Sequence, residues 1–215
     1  NSLNSLVSAG VSSLTLAGSP VDVSFDLKAL QEIQKQSSGD ISITIAQATG
    51  LSKEAKALLG NRPAYSINIS YVKDGQTVNV TSLGSGTATL SILYTPGKNE
   101  AVGYLFGVYV DAKGKAQRIS GSVYDVNSRS LLIPTGHFSM YGVGYTAPIA
   151  KFTDIGNHWG KEAVDYVVGR GLLSGISETT FAPNTAMTRG MLVTALGRLC
   201  LCGFGYVLTI KISVT

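Results

Sequence analysis

The sequence predicts an α+β protein, mainly an antiparallel β-sandwich with two short helices, followed by a small helical module. Residues 1–146 contain many short segments in which apolar and polar residues alternate, which is the period of half-buried strands. Between two of these segments lies Asp74-Gly75, a dipeptide that strongly favours a hairpin turn. The Ser-, Thr-, Gly- and Val-rich composition ends near residues 146–148. We therefore predict a sandwich at 1–146 and a separate module after it.

The first part of the chain is predicted to combine strands with both short helices. Asp26 is positioned to cap a helix whose Leu27, Leu30 and Ile33 share one apolar face. Ser52 is positioned to open a second helix that ends at Gly60. The strands around these helices are predicted at 11–16, 21–25 and 41–45.

The remainder of the sandwich is predicted to be almost entirely strand. A hairpin pairs 65–71 with 77–80 around Asp74-Gly75. Further strands are predicted at 87–94, 101–110, 116–123, 130–133 and 136–145. Short strands at regular spacing with peripheral helices are typical of an antiparallel sandwich.

Charge and composition argue against several classes of protein. Charged residues make up 14% of the chain and the net charge of +4 lies in no run of Lys or Arg, so we expect no nucleic-acid partner. No apolar run reaches the ~18 residues of a membrane span, and we expect none. The first residues lack the basic start of a signal peptide, so we expect any such peptide outside this chain. Cys200 and Cys202 are too close for a favourable disulfide and too few for a structural zinc site, and no cofactor is predicted.

Residues 147–199 carry a series of landmarks in a fixed order. They are Phe152-x-Asp154, His158-Trp159, an apolar helix, the glycines of 171–175, Phe181-x-Pro183 and Thr188-Arg189. This order resembles the S-layer homology module, a cell-wall-binding repeat of bacterial surface proteins. The resemblance covers 151–198 and implies an extracellular protein at the bacterial cell surface.

The same residues predict two helices joined by an extended connection. Asn157 is a candidate N-cap for the first helix, Gly171 ends it, and Thr188 caps the second. Proline favours extended backbone before it, so Phe181-Ala182-Pro183 is predicted to be extended. The predicted apolar stripe of the first helix comprises Trp159, Ala163, Val164, Val167 and Val168. The predicted buried face of the second comprises Met191, Leu192, Ala195, Leu196 and Leu199.

The resemblance also implies a ligand and the residues that bind it. In the family a groove holds an anionic, pyruvate-bearing secondary cell-wall polysaccharide, and its residues map here onto Arg189 and Trp159, with Gly175 and Ser174 where the backbone approaches the sugar. An Arg fork can pair a carboxylate through two hydrogen bonds. Core packing remains the alternative for Trp159, and a solvated position at the helix start remains the alternative for Arg189. This copy lacks the family's Glu after Thr188-Arg189, and it is a single repeat, so weak binding is expected.

A second resemblance lies in the predicted closing strand, whose residues 137–145 read H-F-S-M-Y-G-V-G-Y. This ending resembles a β module that precedes the repeats in many bacterial surface proteins, and also the self-cleavage site of GAIN-type domains. The resemblance implies Ser139 as nucleophile, His137 as general base and Phe138-Ser139 as the scissile bond. A hydroxyl activated in this way can attack the preceding carbonyl. The alternative is that His137 and Ser139 form structural hydrogen bonds while Phe138 packs into the core.

The function predicted from these observations is non-catalytic anchoring of a bacterial surface protein to cell-wall polysaccharide. A self-cleaving β module and an accessory module of an extracellular polysaccharide hydrolase are the alternatives. No G-x-S-x-G nucleophile elbow is present, which argues against a conventional hydrolase.

Residues 200–215 form a tail that resembles nothing in the family. Apolar residues at alternate positions of 206–214 are typical of a half-buried strand. We expect this strand to pair with an edge strand of the sandwich, either in the same chain or in a neighbouring copy. If the linker at 146–148 holds the two parts of the chain apart, the neighbouring copy is favoured and the result is a strand-exchanged homodimer.

Overall fold

The structure is a computed structural model that describes residues 2–37, 40–119, 121–146, 152–169 and 172–201. The chain divides into two compact units. We call Asn1–Asn99 with Leu105–Thr146 the β unit, and Glu100–Tyr104 with Ala147–Thr215 the helical unit. The predicted strand in the tail lies outside the described residues, and the strand-exchanged homodimer stays a prediction.

The described elements of the β unit are mostly short strands. Its helices are α1 (Ser2–Ser8), α2 (Leu27–Gln36) and α3 (Lys53–Leu59). Its strands are β1 (Ser13–Leu16), β2 (Val21–Asp26), β3 (Ile41–Gln47), β4 (Ala64–Lys73), β5 (Gln76–Asn79), β6 (Ala88–Leu93), β7 (Leu105–Val110), β8 (Ala116–Ile119), β9 (Val123–Asp125), β10 (Ser130–Thr135) and β11 (Met140–Tyr145). The described helical unit contains α4 (Lys161–Gly169), α5 (Arg189–Leu201) and a 3₁₀ turn at Val102–Tyr104.

The strands form two sheets that pack face to face. One sheet has the order β1-β2-β6-β10-β9 and the other the order β3-β4-β11-β7-β8, with β5 paired to β4. The pairs between described strands are antiparallel. This confirms the predicted class, an α+β fold that is mainly antiparallel β.

Apolar side chains at alternate positions of the strands form the core between the sheets. In β2 the inward residues Val21, Val23 and Phe25 are almost fully buried, while the residues between them are partly exposed. They pack in one cluster with residues of both sheets such as Leu90 of β6 and Ile69 of β4. Removing such apolar surface from water is the main favourable term in folding.

A second cluster covers the outer face of the other sheet. Helix α3 places Ala55 and Leu59 against Phe106 and Val108 of β7. Gly142 in β11 allows this close approach, because a Cβ there would lie 2.6 Å from the Leu59 Cδ2 atom. Strand β7 is therefore buried on both faces, which explains its nearly continuous apolar sequence.

The two helix caps predicted in the β unit are confirmed. The Asp26 carboxylate accepts a hydrogen bond from the Ala29 N–H at 2.7 Å, and the Ser52 hydroxyl accepts one from the Ala55 N–H at 3.1 Å. The hairpin is also confirmed, since Asp74 and Gly75 have φ values of 52° and 76°. Two successive positive φ values are characteristic of the type I′ turn.

Three strand predictions were wrong in part, and one helix was missed. Residues 101–104 form a 3₁₀ turn because the Tyr104 N–H donates to the Ala101 carbonyl. The predicted strand 116–123 stops at Ile119, where the buried Ser122 hydroxyl donates to the Ile119 carbonyl and accepts the Gly107 N–H. The closing strand begins at Met140 rather than at 136. Helix α1 was not predicted, because an isolated helix this short is marginal.

Among the described residues, no helix is both long and apolar enough to cross a membrane.

The double role of Asp26 gives a test of the β unit. Its second carboxylate oxygen accepts the Thr87 N–H at 3.0 Å, so one side chain joins α2 to the approach to β6. We expect Asp26→Ala to lower the free energy of unfolding by ~2 kcal/mol, the upper end for loss of a cap. Glu54→Ala, an exposed acidic residue in the first turn of α3, is the control. Urea unfolding of both variants measures the difference, and equal midpoints would contradict this role.

Candidate functional site

Asp154 joins the first landmark of the helical unit to the Phe181-x-Pro183 landmark. Its carboxylate accepts the Phe181 N–H at 3.0 Å and the Ala182 N–H at 2.7 Å. Hydrogen bonding from Phe181 is the main cause that lowers the pKa of the Asp154 carboxyl, so it stays ionised. The rings of Phe152 and Phe181 lie 5.4 Å apart beside this contact. Two segments distant in sequence are thereby held together without a large core.

The extended connection predicted at 181–183 was wrong at its middle residue. Ala182 has a φ of 60°, in the left-handed region that a residue with a side chain rarely adopts. The conformation turns the Ala182 N–H towards Asp154, which compensates for the strain. Sequence could not show this, because the hydrogen bond spans 28 positions.

The start of α4 also differs from the prediction. The helix begins at Lys161, so Asn157 is not its cap. Instead the His158 Nδ1 atom accepts the Gly160 N–H at 3.0 Å. Because Nδ1 accepts in a neutral ring, the proton is on Nε2, which lies 3.2 Å from the Asn184 Oδ1 atom. His158 therefore links the turn before α4 to the segment before α5.

The predicted core position of Trp159 was wrong. The Trp159 side chain is 92% exposed, and its ring stacks on His158 with centroids 5.4 Å apart. Within the predicted stripe of α4, Val164 is buried, Val167 and Val168 are half-buried and Ala163 is exposed. Trp159 precedes the first helical residue, so helical spacing does not apply to it.

The structure assigns Gly175 a packing role. A Cβ at Gly175 would lie 2.3 Å from the Phe152 ring and 2.5 Å from the Thr180 carbonyl oxygen, so only glycine fits. Ser174 beside it is exposed. Approach of a sugar to these two residues stays a prediction, as does the position of Gly171, which lies outside the described residues.

Arg189 is the first residue of α5 and is exposed. Thr188 caps the helix as predicted, since its hydroxyl accepts the Met191 N–H at 3.2 Å. The Arg189 side chain has no hydrogen bond or ion pair with the described residues. The buried face predicted for α5 was wrong at Met191 and Leu192, which are 41% and 49% exposed. Ala195 and Leu196 are half-buried, and the side chain of Leu199 is not described.

The four predicted binding residues are thus only partly connected. The His158 contact with Asn184 brings the Trp159 turn to the segment that leads into Arg189. Gly175 belongs to the packing around Phe152 instead. His158 and Asn184 were not predicted as positioning residues. The adjacency of His158 and Trp159 was a signal for the first, and nothing local indicated the second.

The residues of the H-F-S segment lie in the turn before β11 and not on the strand. The Ser139 hydroxyl donates to the Val110 carbonyl at 2.8 Å. The His137 ring contacts Tyr109 edge-on, and no hydrogen bond joins it to Ser139 among the described contacts. Phe138 packs against the core beside Phe25, at 6.1 Å between centroids. These contacts support the structural alternative for the segment.

The tyrosine that follows the H-F-S residues, Tyr141, has a structural role in the turn before β11. Its buried hydroxyl lies 2.7 Å from the Thr135 Oγ1 atom and donates to the His137 carbonyl at 2.8 Å. Burial is the largest cause that raises the pKa of Tyr141 to about 12. The hydroxyl therefore holds the turn in place as a neutral donor.

Comparison with known proteins concerns the helical unit. Residues 151–190 match the family model described as the S-layer homology domain. No curated protein and no solved structure matches the chain. The family match supports the S-layer homology module predicted from the landmarks. Such a domain indicates association with the surface or cell wall of a bacterium. The resemblance of the β unit to a GAIN-like module stays a prediction.

Self-cleavage predicts a specific gel pattern that the observed contacts do not favour. Because the Ser139 hydroxyl donates its hydrogen bond to the Val110 carbonyl, we expect no cleavage, and the purified chain should run as one band on a denaturing gel. Ser139→Ala should give the same pattern. Two wild-type fragments that disappear in Ser139→Ala would instead establish cleavage at Phe138-Ser139.

The Tyr141 hydroxyl predicts a loss of stability at alkaline pH. Its folded-state pKa of about 12 is above the ordinary value of 10.0. The stabilisation from the neutral form is therefore full below pH 10 and is lost as pH rises towards 12. In Tyr141→Phe we expect a loss of ~1 kcal/mol at neutral pH and a shallower alkaline decline. Urea unfolding at several pH values measures both, and an identical decline in the variant would exclude Tyr141 as the cause.

Proposed function

We propose that the helical unit binds an anionic secondary cell-wall polysaccharide and so anchors the protein non-covalently to the bacterial wall. The observation that carries this proposal is the exposure of Trp159. A tryptophan that is 92% exposed contributes little to a core, and it has an apolar face available for a sugar ring. The family match at 151–190 supports the choice of a wall polymer as the ligand.

The Trp159 ring is supported by the turn that carries it. It stacks on His158, and His158 is fixed by the Gly160 N–H on one side and by Asn184 on the other. An aromatic ring that is fixed before binding loses less conformational entropy when a ligand arrives. We infer that the contact with His158 preorganises the ring for binding.

Arg189 supplies the positive charge that an anionic polymer requires. Its guanidinium has no carboxylate partner among the described residues, so binding would not first have to break an ion pair. It also lies at the N-terminus of α5, where the helix dipole favours an anion. A pyruvate carboxylate is the group we infer for this contact, because an Arg fork can bind it through two hydrogen bonds.

The affinity of this copy is expected to be low. Where the family has Ala and Glu after Arg, this chain has Gly190 and Met191, and Gly190 destabilises the first turn of α5. Met191 is 41% exposed, and it lacks the carboxylate with which Glu would accept a hydrogen bond from the Thr188 N–H.

The charge contact can be tested on purified bacterial wall that carries a pyruvylated polymer. We expect co-sedimentation to fall about tenfold in Arg189→Ala, which corresponds to ~1.4 kcal/mol. Binding of the wild type should also fall as salt is raised. Lys98→Ala is the matched control, since Lys98 is an exposed cation in the β unit. Equal loss in both variants would indicate a general charge effect and would contradict the proposed site.

The aromatic surface predicts a different pattern. Trp159→Ala should weaken wall binding without lowering the melting temperature, because the side chain buries almost no area. His158→Asn keeps an oxygen near the position of Nδ1 for the Gly160 N–H but removes the stacked ring. We expect it to weaken binding while α4 remains folded by circular dichroism. Full binding by Trp159→Ala would exclude the proposed sugar surface.

A further inference from the structure

The β-sandwich is closed along one side and open along the other. On the side of β9, the Ser122 hydroxyl accepts the Gly107 N–H at 2.7 Å and so joins the chain before β9 to β7 of the other sheet. On the opposite side, the edge strands are β1 of one sheet and β3 of the other. A cavity of about 420 Å³ lies between these two edges. This volume is in the range of small-molecule sites, roughly 300–1,000 Å³.

The floor of the cavity is apolar and belongs to the core of the sandwich. Phe25 of β2, Leu30 and Ile33 of α2 and Ile69 of β4 line it, and each is at most 3% exposed. These residues belong to strands of both sheets and to a helix. No polar side chain in the floor requires water as a partner.

The walls are apolar as well, but they remain partly open to solvent. They are formed by Leu14 and Leu16 of β1, Ile41 and Ile43 of β3, and Leu6 of α1. Leu16 is 40% exposed and the others are half-buried. Apolar walls that are open to solvent are in contact with water, and a bound apolar group would remove this surface from water, which is favourable. Because the walls are Leu and Ile, an aliphatic chain is the group that matches them.

Among the described residues, one charged side chain lines the cavity. Asp40, immediately before β3, is exposed and lies at the rim. The Asp40 carboxylate has no hydrogen bond or ion pair with the described residues. A ligand that places an aliphatic chain on the floor would therefore bring its head group towards one negative charge.

We propose that the β unit binds a soluble, monomeric amphiphile with an aliphatic chain and a primary ammonium head. The chain fills the space between β1 and β3, and the ammonium donates hydrogen bonds to the Asp40 carboxylate. This site is separate from the proposed wall-binding site and does not depend on it. It adds a small-molecule site to a unit that the family match does not cover.

Titration calorimetry of the full chain with three probes tests the proposal, at concentrations below micelle formation. The probes are decylammonium, decanol and decanoate, which share a chain and differ in the head. We expect saturable binding of one decylammonium per chain, weaker binding of decanol and the weakest binding of decanoate. Since exposed ion pairs contribute little, the preference for decylammonium over decanol should be about threefold.

Two variants separate the head group from the chain. Asp40→Asn should make decylammonium bind as decanol does, while Asp74→Asn, at an exposed hairpin turn, should leave the preference unchanged. Leu16→Trp should fill the mouth and abolish binding of all three probes. Leu93→Trp is its control, because Leu93 is 54% exposed and lies outside the cavity.

Several results would overturn the proposal. Equal affinity for decylammonium and decanoate would remove the role of Asp40. Unchanged binding in Leu16→Trp, with a melting temperature equal to that of Leu93→Trp, would place the probe elsewhere. Absence of saturable binding by the wild type would show that the cavity holds no such ligand.

Discussion

Burial of one face of each sheet against the other is the constraint on which the β unit depends. Alternation in β2 sends Val21, Val23 and Phe25 inward, and a shift of one residue would send the polar neighbours there instead. The same constraint fixes β11, which pairs with β4 on one side and with β7 on the other. The turn at 136–139 must deliver the chain to β11 in that register. The hydrogen bonds of Ser139 and Tyr141 hold the turn in the position that this register requires.

The helical unit is stabilised in a different way. Its described residues bury few large apolar side chains, of which Ile155 and Val164 are the clearest. Polar contacts across the sequence take the place of a core, namely Asp154 with the backbone at 181–182 and His158 with Asn184. Because small modules bury too little surface to be stable by apolar packing alone, such contacts carry a larger share of the stability. The same contacts position the exposed Trp159, so stability and the proposed binding surface depend on shared residues.

The conformation was predicted correctly from the sequence where the interaction that determines it is local. The caps at Asp26 and Ser52 lie three residues from their partners, and the Asp74-Gly75 turn depends on two adjacent residues. Sequence failed where a distant segment decides the conformation. Ala182 adopts a positive φ and donates its N–H to Asp154, and the contact of Ser122 after the end of β8 depends on Gly107 in another strand. The buried positions predicted for Met191 and Leu192 from helical spacing were also wrong. Such spacing predicts which residues share an apolar helix face, but it does not show whether another element covers that face.

The H-F-S-x-Y residues show how one motif can support two interpretations. Cleavage requires Ser139 to reach the preceding carbonyl and His137 to accept its proton. In the structure each of these residues is engaged elsewhere: Ser139 with Val110, and the His137 ring with Tyr109. The backbone of His137 is held by Tyr141 and Thr135. The hydroxyl and aromatic groups of the motif thus take part in contacts that hold the turn before β11. The register of β11 gives the motif a structural role, while self-cleavage stays a prediction.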